Sequence, residues 1–274
     1  MKHTLTRKIS AKGNGYLLGV FFAFFLGALV VSLVFRGFHL YKNAHFKTDT
    51  IMVLIVTQDD SHIMRLDTKD KKISHLKIFD VKLDAHNLKN ASINTGVPLH
   101  AGVIVKNSTD DSRDIFSLGN VLTLLLSNQT ELVQINEWDM IRIAYEAKKI
   151  PLDNQTFKEI KNYVHDRSII SQIDHELYEL FRDPEVINEQ VSVEVVNATS
   201  VSGLASSIAK MLENGGYTVV SIRSSETENS SIQTNDTSSI TAQHIQKIFS
   251  FPVKPSGKNA VADIRIVIGD DAIE

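Results

Sequence analysis

Cysteine is absent from this 274-residue chain. The absence excludes disulfides, thiolate metal sites and cysteine nucleophiles, although it does not fix the cellular compartment. A basic excess is also missing, because 29 Lys and Arg residues face 32 Asp and Glu residues. The resulting net charge of −3 excludes a general nucleic-acid binder. The sequence contains no G-x-S-x-G elbow, phosphate loop, dinucleotide fingerprint or H-E-x-x-H motif, so none of these common site types is indicated.

Acidic residues are missing from the start of the chain. The first 48 residues carry seven basic side chains and no acidic one, whereas the remainder holds 22 basic and 32 acidic residues. The chain is therefore a basic leader joined to a body with a net charge of −10. Such a body repels anionic polymers unless a cation bridges the two, so it favours contacts with proteins, neutral glycans or cation-bridged polymers.

A long uncharged run dominates the leader. Residues 13–35 carry no charge, and residues 16–31 are apolar on every face of a helix. Such a helix spans roughly 30 Å, the thickness of the hydrocarbon core of a bilayer. A cleaved signal peptide would have a shorter apolar region of about 7–15 residues and small residues at its cleavage site, which Arg36-Gly37-Phe38 does not provide. We therefore predict a transmembrane helix at residues 16–35 that stays in the lipid bilayer.

The charges that flank this span predict its orientation. Four basic residues precede it and three follow it, a slight bias that favours a cytoplasmic N-terminus. The long acidic body follows without a second span. We expect a single-pass protein of the cytoplasmic membrane, with a cytoplasmic basic tail at residues 1–15, a linker at residues 36–48 and an extracytoplasmic body.

The first part of the body, residues 49–183, alternates short apolar runs with helical patterns. Residues 50–57 are continuously apolar and rich in β-branched side chains, which is typical of a buried strand. Residues 61–66 and 73–79 alternate around a polar turn, so the three runs predict an antiparallel meander. Further elements are expected in this order: a strand at 102–105, a helix at 114–126, a strand at 132–135, a helix from Asp139 to Pro151 and two amphipathic helices at 152–181. The polar segment 183–190 predicts a domain boundary.

The second part of the body, residues 191–274, predicts a small unit of order βαβ-loop-αβ. A strand at 191–196 leads into a helix that Thr199, Ser200 or Ser202 can cap and that Gly215-Gly216 ends. A strand at 217–222 follows, and this spacing is typical of a right-handed βαβ unit with parallel strands. The remaining elements are an exposed loop at 224–239, a helix at 240–249, a loop at 252–260 and a final strand at 262–268. We expect an α/β (α+β) fold with an N-terminal transmembrane helix and a mixed-sheet middle domain with helices.

Three runs in the second part resemble the LytR C-terminal domain. They are Val193-Glu194-Val195-Val196-Asn197-Ala198-Thr199, Gly203-Leu204-Ala205 and Leu212-Glu213-Asn214-Gly215-Gly216-Tyr217-Thr218-Val219-Val220. The closing run from Ala262 to Asp270 is similar to the last strand of that family, although Ala198 replaces its usual glycine. The resemblance implies a bacterial envelope protein, and it assigns structural motif positions to Asn197, Thr199, Gly203, Leu204, Ala205, Gly216, Tyr217 and Asp263.

Residues 49–183 are similar, more weakly, to the LytR-CpsA-Psr catalytic domain. Asp49-Thr50-Ile51-Met52-Val53-Leu54 resembles its first strand, and Asp70-Lys71-Lys72-Ile73-Ser74-His75-Leu76 resembles the following hairpin. These enzymes transfer glycopolymers from polyprenyl pyrophosphate lipids to the cell wall, with arginines, carboxylates and a divalent cation at the pyrophosphate. Where the family has Pro-Arg-Asp, this chain reads Lys77-Ile78-Phe79-Asp80. The resemblance therefore implies a degenerate relative, in which Asp49, Asp80 and Arg113 are the only weak catalytic candidates.

Three functions remain open at this point. The preferred one is a non-catalytic, membrane-anchored envelope protein whose C-terminal domain contacts a cell-wall polymer or an envelope protein, with no cofactor and no metal. The second is an active glycopolymer transferase that uses Mg²⁺. The third is a single-span assembly scaffold that oligomerises through residues 152–181. Binding of a polyprenyl pyrophosphate, or the size of the body in solution, would distinguish them.

Overall fold

The computed structural model describes residues 13–44, 49–79, 82–106, 117–127, 129–160, 170–226, 228–257 and 260–272. The chain divides into two compact units, residues 1–44 and 45–274. The first unit contains helix α1 (Gly13–Lys42), of which Leu18–Lys42 is long and apolar enough to cross a membrane. The predicted apolar helix is confirmed, and it continues seven residues beyond the predicted end at residue 35.

The second unit begins with a six-stranded mixed sheet, here called the central sheet. Its strand order is β5-β4-β1-β2-β3-β6. The strands are β1 (Thr50–Val56), β2 (Ser61–Asp67), β3 (Lys72–Ile78), β4 (Ala101–Val105), β5 (Thr130–Val133) and β6 (Gln155–Ile160). The helices that accompany them are α2 (Leu88–Thr95), α3 (Leu118–Leu126), α4 (Glu137–Lys148), α5 (Ile170–Phe181) and α6 (Pro184–Glu189). The antiparallel pairs β1–β2 and β2–β3 confirm the predicted meander.

Strand β1 is buried on both faces, which explains its continuous apolar sequence. Ile51, Val53 and Ile55 share a core cluster with residues of α3 and α4. The alternate residues Met52 and Leu54 share a second cluster with residues of α2 and α5. Because side chains alternate along a strand, one apolar run supplies both cores, and helices cover both faces of the sheet.

The prediction of two amphipathic helices at residues 152–181 is half wrong. Helix α5 is present, but residues 155–160 form the edge strand β6, which pairs in parallel with β3. Phe157 and Ile160 are spaced three residues apart, a spacing that suits one helical face. Thr156 and Phe157 favour a strand, and the free edge of β3 supplies the hydrogen-bond partners that decide the conformation.

The C-terminal part contains a five-stranded sheet of order β10-β9-β11-β7-β8, here called the C-terminal sheet. Its elements are β7 (Ser192–Ala198), α7 (Leu204–Asn214), β8 (Thr218–Ser224), β9 (Ser231–Thr234), α8 (Ile240–Phe249), β10 (Val253–Lys254) and β11 (Ile264–Gly269). Strands β7 and β8 are parallel, as the predicted βαβ unit requires. Helices α7 and α8 pack on one face of the sheet around Val193, Val195 and Ile266.

Two strands lie where loops were predicted. Residues 231–234 form β9, which is antiparallel to β11 and largely buried, and residues 253–254 form the short β10 beside it. Ile232 is the one large apolar residue of β9, and it is fully buried in the C-terminal core. A single apolar residue in a polar run gives too weak a pattern to predict a strand.

The predicted boundary at residues 183–190 is occupied by helix α6. Its last residue, Glu189, bonds to the start of α8, and the backbone N–H of Asp183 donates to the carbonyl of Gly215 at 2.9 Å. Helix α7 packs against both α2 and α5, and Ile93 of α2 joins the C-terminal core. The two sheets therefore belong to one compact unit in which helices of each part lie against each other.

Candidate functional site

Of the three weak catalytic candidates, only Asp49 lies within the described residues. Asp49 lies at the start of β1 and is exposed, and its carbonyl accepts hydrogen bonds from the amide and the hydroxyl of Thr68. Asp80 and Arg113 lie outside the described residues. The prediction of a degenerate catalytic centre therefore stays a prediction.

The motif residues Asn197 and Thr199 shape the turn that follows β7. The side-chain oxygen of Asn197 accepts from the amide of Thr199 at 3.1 Å and from its hydroxyl at 2.7 Å. The Asn197 amide nitrogen donates to the carbonyl of Val201 at 2.8 Å, and the Thr199 hydroxyl accepts from the Val201 amide at 3.1 Å. Asn and Thr close such local rings well, so both residues stabilise the turn.

Gly203-Leu204-Ala205 begins helix α7. Gly203 is the N-cap residue with a φ of 82°, and no side chain caps the helix. The prediction that Thr199, Ser200 or Ser202 caps α7 is therefore wrong, since the Asn197 turn already uses Thr199. A left-handed φ favours glycine, which explains this position, while Ala205 is buried in the core between α7 and the sheet.

Gly216 and Tyr217 lie where α7 ends against the first part of the body. Gly216 has a φ of 90°, and a Cβ atom there would lie 2.9 Å from the side chain of Ile187 in α6. Tyr217 is buried, and burial raises the pKa of its hydroxyl well above 10.0, with Asp183 and Glu189 adding to the shift. These motif positions therefore serve the junction between the two parts of the body.

Asp263 joins the starts of β7 and β11. Its Oδ2 atom accepts from the Ser192 amide at 2.9 Å and from the Ser192 hydroxyl at 2.6 Å, and its own amide donates to that hydroxyl. Hydrogen bonds from Ser192 lower the pKa of Asp263, so the carboxylate is charged at neutral pH. Both side-chain bonds end on Oδ2, and Oδ1 receives no bond from another described residue.

A polar cleft of about 750 Å³ opens beside this pair at one end of the C-terminal sheet. The turn between β9 and α8, the starts of β7 and β11 and the segment before β11 form its walls. Its lining residues are Val191, Ser192, Thr234, Asn235, Asp236, Ser239, Ser256, Gly257, Ala260, Val261, Ala262, Asp263 and Ile264. Among the described residues, its lining includes two aspartates and no Lys or Arg.

The cleft offers hydrogen-bonding groups that the described residues do not use. The hydroxyl oxygen of Ser256 has no partner in the described part of the chain, and since it is shielded from solvent, a rotation about χ1 is needed to present it to a ligand. The side-chain oxygen of Asn235 accepts from the Ser256 amide at 3.1 Å, which leaves its amide nitrogen to other partners. Asp236 is held by the hydroxyl and amide of Ser238, which lower its pKa and keep it charged.

These groups suit a ligand rich in hydroxyl groups. Carboxylate, amide and hydroxyl side chains bind sugar hydroxyls as donors and acceptors. The two aspartates repel an anionic ligand. Over the described ranges, no group of three His, Asp or Glu side chains is arranged to hold a metal ion.

Sequence reasoning missed Asn235, Asp236 and Ser256 as site residues. They lie in segments that were predicted as loops. They share one wall of the cleft because parts of those segments form the neighbouring strands β9 and β10. The sequence signal that could have pointed to them is the dense Asn, Asp, Ser and Thr content of residues 224–239.

Comparison with known proteins supports the C-terminal assignment. Residues 190–271 match the family model described as LytR cell envelope-related transcriptional attenuator, which confirms the predicted LytR C-terminal-type domain. The match does not include residues 49–183, so the relationship of that part to the LytR-CpsA-Psr domain stays a prediction.

Two further comparisons carry no functional argument. The X-ray structure of the Lin1025 protein from Listeria innocua is aligned over 83% of this chain and 94% of that chain, at 10% identity and a TM-score of 0.20. A similarity at that score supports no statement about the fold. No curated protein sequence matches the chain significantly.

Proposed function

We propose that this chain is a membrane-anchored cell-envelope protein that binds a neutral wall glycan in the cleft of its LytR C-terminal-type domain. The family match supports the envelope assignment, and the apolar helix α1 supports the anchor. The observation that carries the proposal is the polar cleft of about 750 Å³, whose side chains include unused hydrogen-bonding groups and two charged aspartates. The proposal assigns no cofactor and no catalytic residue.

The charge of the protein restricts the ligand. The body has a net charge of −10, and the described lining of the cleft contains Asp236 and Asp263 but no Lys or Arg. An anionic polymer would be repelled unless cations bridged it to the protein. A glycan without acidic groups, or one that bears amines, is not repelled and can satisfy the carboxylate and hydroxyl groups of the cleft.

The anchor defines where this binding takes place. Helix α1 exposes large apolar side chains around its circumference, among them Phe24 at 78% and Phe35 at 74%. Such a surface is favourable in lipid and unfavourable in water, because apolar side chains are hydrated poorly. With the N-terminus in the cytoplasm, the body lies outside the membrane, where wall glycans occur.

Two experiments test the proposal. The purified full-length protein in detergent is expected to sediment with an insoluble cell-wall fraction and to be released by soluble neutral glycan fragments. Protease added to intact spheroplasts is expected to degrade the body and to leave the N-terminal tail protected. Failure to sediment with the wall would contradict the binding, and full protection of the body would contradict the topology.

A further inference from the structure

Two histidines from different parts of the body meet in its interior. His100 lies directly before β4 of the central sheet, and His244 lies in α8 of the C-terminal domain. Their ring centroids are 4.9 Å apart, with 7% of His100 and none of His244 exposed. The contact joins the two parts of the body at a point that water does not reach.

The hydrogen bonding of His100 shows that its ring is neutral. The Nδ1 atom accepts from the backbone amide of Met52 in β1 at 3.3 Å, so this nitrogen carries no proton. A protonated ring would present an N–H group to the Met52 N–H group. The Nε2 atom has no hydrogen-bond partner among the described residues, so no acceptor there would stabilise a charged ring.

His244 is also held in an environment that disfavours its charged form. Neither ring nitrogen makes a hydrogen bond within the described residues, and the nearest carboxylate atom, Asp183 Oδ2, lies 3.4 Å from Nδ1. Burial and, to a smaller extent, the charge of Lys247 lower the pKa of His244 from 6.5 to about 4, while Glu189 opposes the shift. Burial, His244 and Lys247 lower the pKa of His100 well below 6.5.

The other titratable groups around the pair lie at the two ends of α6, on β2 and at Tyr217, the residue directly before β8. Asp183 at the start of α6 and Glu189 at its end are the carboxylates nearest to His244. Arg65 on β2 is buried beside Asp183 and forms an ion pair with Asp67 at 2.6 Å. The hydroxyl of Tyr217 is kept neutral by burial. Burial raises the pKa of Asp183, so the closed state binds a proton at this carboxylate more readily than an exposed aspartate would.

We propose that the contact between His100 and His244 is a pH-sensitive latch, which holds the C-terminal domain against the central sheet at neutral pH and releases it in acid. The proposal does not depend on the glycan site, because the contact lies in the interior of the body and not in the cleft. Release exposes both rings to water, where each can bind a proton.

The direction of the pH dependence follows from the neutral closed form. Both histidines have a lower pKa in the closed state than the ordinary 6.5, so their contribution to closure is fully present above pH 6.5 and decreases as the pH falls below it. Each histidine favours the open state by about tenfold per pH unit in this range. Asp183 acts in the opposite direction, because its raised pKa strengthens closure as the pH falls towards 3.8. Release is therefore expected between pH 6.5 and the pH at which Asp183 becomes protonated.

The absence of cysteine allows a direct distance measurement on the full-length protein. Spin labels on the variant Leu152→Cys/Val220→Cys would report the separation of the two parts of the body. Both positions are exposed, and Leu152 lies three residues before β6 of the central sheet, whereas Val220 lies on β8 of the C-terminal sheet. A single distance is expected at about pH 7.5, and a second, longer distance at about pH 5, where both histidines favour the open form. An unchanged distance distribution would overturn the proposal, as would a loss of secondary structure over the same pH range.

Substitution of one histidine tests the number of protons involved. His100→Asn keeps an acceptor near the position of Nδ1 and removes one titrating group. The ratio of open to closed protein should therefore rise by about tenfold for each pH unit of acidification instead of about a hundredfold. The control His86→Asn, at a side chain that is 58% exposed, should leave the transition unchanged. An equal pH dependence in wild type and His100→Asn would overturn the latch, and the wild-type distances decide the matter if the variant does not fold.

Discussion

Glu194 is a buried carboxylate whose partners are all on the C-terminal sheet. It lies on β7, is 1% exposed and points away from α7 and α8, because its neighbours Val193 and Val195 face those helices. Arg223 on β8 contacts it at 3.0 Å, Arg265 on β11 at 3.5 Å and the Ser221 hydroxyl at 3.2 Å. One carboxylate therefore connects three adjacent strands.

We expect Glu194→Gln to destabilise the protein. Two arginines would then face each other without the carboxylate, and the loss is about 1–3 kcal/mol once the partial exposure of Arg223 is taken into account. The free energy of unfolding in urea measures the effect. Glu159→Gln, an exposed strand glutamate on β6, should change it little. Equal stability of both variants would show that the ion pairs contribute nothing.

Two different causes favour glycine near the ends of α7: lack of space for a Cβ atom and a left-handed φ. A Cβ atom at Gly215 would lie 2.6 Å from Pro98, although its φ of −78° is ordinary. A Cβ atom at Gly216 would lie 2.9 Å from Ile187, and its φ of 90° is left-handed. Gly203 has a left-handed φ and open space around it.

An alanine series at these glycines should rank by mechanism. Gly203→Ala adds backbone strain alone and is expected to cost about 1–2 kcal/mol. Gly215→Ala adds overpacking alone, about 1–3 kcal/mol, and Gly216→Ala adds both and should be the most destabilising. Gly119→Ala, in helix α3 with open space, should be neutral or slightly stabilising. Urea denaturation of the four variants checks the order, and a harmless Gly216→Ala would contradict the packing at the junction.

At the scale of elements, helix α8 depends on a residue from another helix. Glu189 at the end of α6 accepts from the backbone amides of Ile240 and Thr241, each at 2.8 Å, and from the Ser239 hydroxyl at 3.2 Å. A carboxylate at a helix N-terminus satisfies free N–H groups and interacts favourably with the helix dipole. The segment between the two parts of the body is therefore a structural component of the C-terminal domain.

Glu189→Gln is expected to lower the stability of the protein by about 1 kcal/mol at neutral pH, the typical effect of losing a helix cap. Burial raises the pKa of Glu189, but bonds from Thr241, Ile240 and Ser239 outweigh it and lower the pKa below 4.5. The carboxylate therefore contributes stability above pH 4.5 that is lost as the pH falls through its folded pKa. Urea midpoints of wild type and variant should converge in that acidic range, and a constant difference would contradict the cap.

Elements with a continuous or periodic apolar pattern are predictable from the sequence, whereas strands whose conformation depends on pairing with a neighbouring strand are not. Strand β1 and helix α8 have continuous or periodic apolar residues, and their predicted bounds agree with the structure within a residue. Strand β9 contains one buried apolar residue, Ile232, and strand β6 is decided by the free edge of β3. The motif glycines were predictable from the family resemblance, whereas the cleft depends on β9 and β10 and was not.

At the scale of the whole molecule, the protein combines an apolar helix with one compact body. The large apolar side chains of helix α1, among them Phe21, Phe24 and Phe35, are exposed. The body supplies its own core beneath both sheets. In the proposed arrangement, helix α1 is therefore surrounded by lipid and the body by water.

Removal of residues 1–44 is expected to move the protein from the membrane fraction to the soluble fraction. The remaining residues form their own compact unit, and the deleted helix provides the apolar surface that lipid requires. Ultracentrifugation after an alkaline carbonate wash measures the distribution, with the full-length chain as the matched control. A truncated protein that still sediments with membranes in this wash would show that the body itself binds lipid.

The most direct test of the proposed glycan site is a calorimetric titration of the full-length protein with a defined neutral wall glycan. We expect saturable binding that Gly257→Trp weakens by at least about tenfold, because the indole fills the cleft from a position with open space around it. Leu152→Trp, at a residue that is 82% exposed and outside the cleft lining, should bind like the wild type, and an anionic polymer should not bind without divalent cations. Equal affinity of wild type and Gly257→Trp, or no binding at all, would contradict glycan binding in the cleft.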